Sequence, residues 1–161
     1  MKKDMRKWLQ EMLDAPQKTA MPILSFPAIQ LLGISVKDLI SDSNIQAKGM
    51  KAVADRVPSA ASVSLMDLSV EAECFGSSIV FSDDEVPTVT GSIVSSLEEA
   101  EALKIPEIGS GRTGIYIGAI EKAVKEITDR PVFAGIIGPF SLAGRLMDVT
   151  EAMIYCYEDP D

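Results

Sequence analysis

The sequence predicts an α/β fold built on a parallel sheet, and three observations predict it. Val132 to Ile137 (VFAGII) is an almost unbroken apolar run, the composition that a strand covered on both faces requires. Ser62 to Leu68 (SVSLMDL) reads as another strand, with Asp67 at its carboxyl end. Before it, Ala47, Met50, Val53, Ala54 and Val57 form a helical stripe that Pro58 stops. With a first short strand read at Met21 to Phe26 before that helix, strand, helix and strand alternate as in a βαβ unit, whose crossover is right-handed in nearly all cases.

Taken in order, the chain opens on an amphipathic helix in which Trp8, Leu9, Met12 and Leu13 recur at helical spacing, a covering element. Met21 to Phe26 reads as a first short strand, with Pro22 and Pro27 where a missing N–H does least harm. A turn of helix then ends at Gly33. Ser35 with Asp38, and Ser43 with Gln46, are capping-box patterns that start helices at 36–41 and 44–56. After the strand at 62–68 comes a short helix, Val70 to Phe75, closed by Gly76, which takes the left-handed backbone cheaply. A second apolar run (Ile79, Val80, Phe81) precedes the acidic stretch Ser82 to Glu85, and TVTGSIVSS beyond Pro87 reads as an irregular excursion with room for one short strand.

Ser96 with Glu99 caps a further short helix ending near Leu103. The long helix at Thr113 to Thr128 is expected to bury Tyr116, Ile120, Ala123, Val124 and Ile127. Gly138, Pro139, Phe140 and Ser141 turn the chain into a helix from about Leu142, with Ser141 a plausible cap, and another helix spans 150–158. Asp159 and Pro160 read as the cap and first position of a helix not completed. About three parallel strands fit, whereas a closed (β/α)8 barrel takes at least ~200 residues. The sheet is open, or it belongs to a larger protein.

Bulk properties narrow the function. A 47% hydrophobic content with 24% charged residues suits a single folded domain over 1–161. A net charge of −9 leaves nothing to neutralise phosphates, which excludes a nucleic-acid partner. Cys74 and Cys156 are too few and too far apart for a disulfide framework or a cysteine-rich zinc site, and without basic neighbours both read as buried, inert thiols. The charged amino terminus has no apolar signal core and no run approaches the ~20 apolar residues of a membrane span, so a cytoplasmic protein is expected, away from membranes.

Asp67 holds the most specific chemistry, because strand carboxyl ends open onto the ligand crevice of α/β proteins. An aspartate just before a helix is equally well its cap. Gly109, Gly111 and Gly114 satisfy GxGxxG before a helix, yet the preceding KIPEI is no buried strand, which favours a glycine-rich loop over a dinucleotide site. Glu71, Glu73, Asp83, Asp84 and Glu85 lack the alternation and glycine of a calcium loop and read as a solvated acidic edge.

Two stretches, MDLSVEAECFGSSIVFSDDEVPTV (66–89) and IIGPFSLAGRL (136–146), resemble the amino-terminal half of the uroporphyrinogen decarboxylase superfamily, more closely its methylcobamide:coenzyme M methyltransferase branch. The resemblance implies the amino-terminal part of a (β/α)8 TIM barrel with an N-terminal helix. It matches Asp67 to the carboxylate facing the active-site funnel, and Gly138, Pro139, Phe140 and Ser141 to the turn lining the same mouth. Arg145 stands where the decarboxylases place a tyrosine, and no arginine lies between Phe26 and Gly33, where they hold substrate carboxylates. These departures favour the methyltransferase branch.

What the resemblance implies for activity is an enzyme half. The parent would use zinc, held by His-x-Cys and a later cysteine, to activate a thiol such as coenzyme M toward the methyl group of a methylcobamide on a corrinoid protein. The sequence contains no histidine, so no zinc or methylcobamide is expected on this chain and the fragment should not turn over; Asp67, Gly138, Pro139, Phe140, Ser141 and Arg145 are candidates for binding substrate, not for catalysis. Arg145 could reach an anionic ligand. The alternative is a decarboxylase-like tetrapyrrole-binding or non-catalytic domain. Either way, the edges of an open sheet should promote self-association.

Overall fold

The computed structural model describes residues 3–158. Helix α1 (Met5–Asp14) is capped by Asp4, whose carboxylate accepts from the N–H groups of Arg6 and Lys7. It does cover the scaffold, through Trp8, whose ring packs tilted against Phe133 with centroids 5.7 Å apart. Its apolar stripe is not buried, however: Leu9 and Leu13 are more than half exposed. Helices α2 (Pro27–Leu32), α3 (Val36–Ser41) and α4 (Ser43–Arg56) follow. The capping box at α3 forms in both directions, Ser35 accepting from the N–H of Asp38 while the Asp38 carboxylate accepts from Ser35. Those bonds hold the Asp38 carboxyl below its ordinary range. At α4 the cap is Asp42 rather than Ser43, which becomes the first helical residue and accepts from Lys122.

The parallel sheet is shorter than expected. Strand β1 (Ser62–Val63) pairs in parallel with β4 (Val132–Phe133), Ser62 opposite Val132 and Val63 opposite Phe133. Past these pairs side chains take over from the ladder: the N–H of Gly135 donates to Ser64 Oγ (2.8 Å), and Ser25 Oγ donates to the carbonyl of Ser64 (3.0 Å). The segment Met21 to Phe26 is tied to Ser64 through Ser25, and the preceding Ala20 carbonyl accepts from the N–H of Ala60, without ladder pairing, so two parallel strands stand where three were expected. Nor is 132–137 covered on both faces, since Ile136 is 82% exposed.

A second sheet was unforeseen. Strands β2 (Ser78–Val80) and β3 (Thr88–Thr90) form an antiparallel pair with Ile79 opposite Val89, which gives the supposed irregular excursion a partner. Helix α5 (Val70–Phe75) leads into it through Gly76 at φ 104°, and α6 (Leu97–Ala102), capped by Ser96, leads out. Helix α7 (Thr113–Glu126) packs against α4 and closes the crossover to β4; Ala123 and Ile127 are buried there as expected, while Val124 faces solvent. Helix α8 (Pro139–Met147) begins three residues earlier than the sequence suggested, with Gly138 as cap and Pro139 at its first position, so Ser141 lies inside the helix. Helix α9 (Val149–Glu158) follows, and the expected cap at Asp159 and Pro160 lies outside the described residues.

The largest apolar core joins Ala28, Val36, Leu39, Ile40, Val53 and Leu65 from α2, α3, α4 and the β1 exit. It seats the residues that follow β1, and so sets the position of Asp67. No helix of the described residues is long and apolar enough to cross a membrane.

Candidate functional site

Asp67 leaves β1 on an extended segment and is buried, its carboxylate without solvent exposure. An ion removed from water must be paired and hydrogen-bonded, and here both oxygens are. Oδ1 accepts from the N–H (2.9 Å) and hydroxyl (2.6 Å) of Ser69; Oδ2 accepts from Arg112 Nη1 (2.6 Å) and the Tyr116 hydroxyl (3.0 Å). Arg112 also donates through Nη2 to Ser69 Oγ (2.8 Å) and through Nε to Glu73, and its guanidinium lies 5.0 Å from the centre of the Phe81 ring. Burial works against the Arg112 charge, but the bonds and charges of Asp67 and Glu73 outweigh it and raise its pKa. Tyr116 is pushed upward by burial and then by the Asp67 charge, so its phenol remains a donor.

Asp67 therefore acts as more than a cap: it gathers α5, the loop before α7 and α7 itself. Glu73, assigned above to a solvated acidic edge, is half-buried on Arg112, and Glu71 accepts from the N–H of Ile137 (3.2 Å). Cys74 is half-buried, its Sγ donating to the Ser110 carbonyl (3.1 Å), and Cys156 is exposed rather than buried.

Arg112 was not among the expected site residues. The available signal was that it is the sole cation between Lys104 and Lys122 and stands inside the glycine cluster. Gly109 and Gly111 take left-handed backbone (φ 84° and 53°), and the loop they shape carries Arg112 to the strand end.

Two clefts flank this network. A cavity of about 360 Å³ is walled by the β1 and β4 exits and by α7, with Asp67, Glu71, Met66, Tyr116, Ile120 and Ile137 in its mainly apolar lining. A second, of about 480 Å³, lies between β3 and α8 and holds Phe140, Ser141 and Arg145. Leu68 lines both. The sequence-derived site residues are thus divided: Asp67 borders one cleft through its backbone while its carboxylate is sealed in the ion pair, Phe140, Ser141 and Arg145 line the other, and Gly138 and Pro139 form the start of α8. Among the described residues no group of three His, Cys, Asp or Glu is placed to hold a metal ion.

The model of the uroporphyrinogen decarboxylase (URO-D) family matches residues 3–161. The chain belongs to the uroporphyrinogen decarboxylase family. Within it the likeness runs to methyltransferases. The methylcobamide:CoM methyltransferase MtbA of Methanosarcina acetivorans is 39% identical over 82 residues, 48% of this chain and 23% of that protein. A methyltransferase from Methanosarcina mazei has the same fold at a TM-score of 0.73 and 22% identity, over 89% of this chain and 42% of that one. This family member therefore spans less than half the length of the relatives it matches.

Proposed function

We propose that the chain forms the amino-terminal part of a corrinoid methyltransferase of (β/α)8 architecture, which moves a methyl group from a methylated corrinoid protein to a thiol such as coenzyme M. The family match over residues 3–161, with a methylcobamide:CoM methyltransferase as the curated relative, carries this reading. In it, the cleft at the exits of β1 and β4 and the one between β3 and α8 become one wall of the substrate mouth, with Asp67, Phe140, Ser141 and Arg145 as its candidate lining and Gly138 and Pro139 as the turn that places them. The buried ion pair of Asp67 and Arg112 holds that wall in shape.

The residues present do not fit the parent's zinc. There is no histidine, Cys74 is engaged with a backbone carbonyl, and no described acidic or thiol trio converges. This chain's part is to bind and orient the small substrate and exclude water.

The reading is tested by determining the coding sequence downstream of codon 161. A continuous frame with His-x-Cys and a later cysteine is expected, and its product should methylate a thiol from methylcobalamin. A stop codon at that point, or a zinc-loaded product that transfers no methyl group, would overturn it. We further propose that the open edges of the β1–β4 sheet make the 161-residue chain self-associate. Light scattering should show a mass that falls on dilution, and a monomer at every concentration would refute this.

A further inference from the structure

Arg145 is the arginine whose position the fold does not explain. Arg112 and Arg130 are tied into ion pairs, and Arg6 and Arg56 are exposed. Arg145 is half-buried, yet it makes no ion pair or side-chain hydrogen bond among the described residues, in a chain of net charge −9. None of its guanidinium nitrogens is sealed from solvent and none has a protein partner among the described residues, so the fork is free to bond a ligand that enters the cleft.

Its surroundings are built for a ligand rather than for an internal carboxylate. Arg145 lines the 480 Å³ cleft together with Gly91, Ser92 and Ser141, and a neighbouring cleft of about 290 Å³ with Ser69 and Thr88. Asp148 lines the larger cleft too, but its Oδ1 accepts from the N–H of Thr150 (2.8 Å) at the start of α9 and makes no ion pair with Arg145. The guanidinium fork matches the planar or tetrahedral edge of an oxyanion in two parallel bonds, which an ammonium cannot do.

We propose that Arg145 anchors an oxyanion subsite, taking the sulfonate, carboxylate or phosphate group of a small ligand in the cleft between α8 and the turn at Gly91 and Ser92. The subsite rests on the reading above that this face is the substrate mouth, and it adds the charge class of what enters. The anion has two possible sources: the acidic group of a small substrate, or a phosphate.

The test is titration of the 161-residue chain with ethanesulfonate and, separately, with inorganic phosphate, followed by calorimetry and by the Nε–H resonance of Arg145. At least one anion should saturate and move that resonance, and the tighter one identifies the source. Arg145→Gln should weaken binding about tenfold or more, Arg145→Lys should be intermediate, and Arg56→Gln should bind as the parent does. The resonance shift needs no variant, so it stands even if Arg145→Gln fails to fold. Absence of saturable binding, or equal binding by the folded Arg145→Gln variant, would overturn the subsite. Methyl transfer is not needed for this readout. Anion binding through Arg145 in a protein that transfers no methyl group would leave the subsite standing and remove the methyltransferase reading; the opposite pair of results would do the reverse.

Discussion

Replacing Arg112 by leucine is expected to cost about 3–5 kcal/mol of folding free energy, read as a lower urea midpoint. The variant keeps the apolar stem but leaves the Asp67 carboxyl without its cation, with no solvent exposure, and held only by Ser69 and Tyr116. An ion pair this deep adds little over an apolar pair, since desolvation offsets its attraction; removing one member is what is costly. The double variant Asp67→Asn, Arg112→Leu should therefore recover much of the loss, although Glu73 then also lacks its cation. Against a typical domain stability of about 5–15 kcal/mol, the single change would leave the chain near its unfolding threshold. If Arg112→Leu cost under about 1 kcal/mol and the double variant were no more stable, the network would not be the tie described here.

Local signals carried most of the helices. The Ser35 box, the Ser96 cap, the stripe of α4 and the buried positions Ala123 in α7 and Ile127 just past its end are written within a few residues of where they act. Strand extent was less legible because pairing is non-local. Whether Val132 to Ile137 continues as a ladder depends on Ser64 Oγ, 71 residues away, which takes the N–H of Gly135. Ile79 and Val89 likewise became a hairpin only through each other. The site divides in the same way. An acid at a strand exit was visible at Asp67, but its partners Arg112 and Tyr116, 45 and 49 residues on, were not, because nothing local marks which cation will close on it. Arg145 stood out by its departure from the family tyrosine, and the cleft that holds it is separate from the one Asp67 borders.

The glycines before α7 allow the sharpest test of this arrangement. A phosphate-binding loop and a packing loop can share GxGxxG, since both need left-handed backbone and a close approach, so the spacing alone does not separate them. In this fold a Cβ on Gly114 would stand 2.6 Å from the carbonyl oxygen of Gly109, a backbone atom that cannot rotate aside. Gly114→Ala is expected to destabilise by about 1–3 kcal/mol, which exceeds the gain of at most about 1 kcal/mol that alanine brings to a helix. Gly118→Ala, one turn on, meets Ser43 Cβ at 3.4 Å and its Oγ at 3.5 Å, ordinary contacts with a side chain, and should be neutral or stabilising. The loop that must move in Gly114→Ala carries Arg112, so part of the loss comes from a loosened Asp67 pair. The same change made on the double Asp67→Asn, Arg112→Leu background should therefore cost measurably less. Equal costs on the two backgrounds would mean that the loop packs α7 without positioning the arginine.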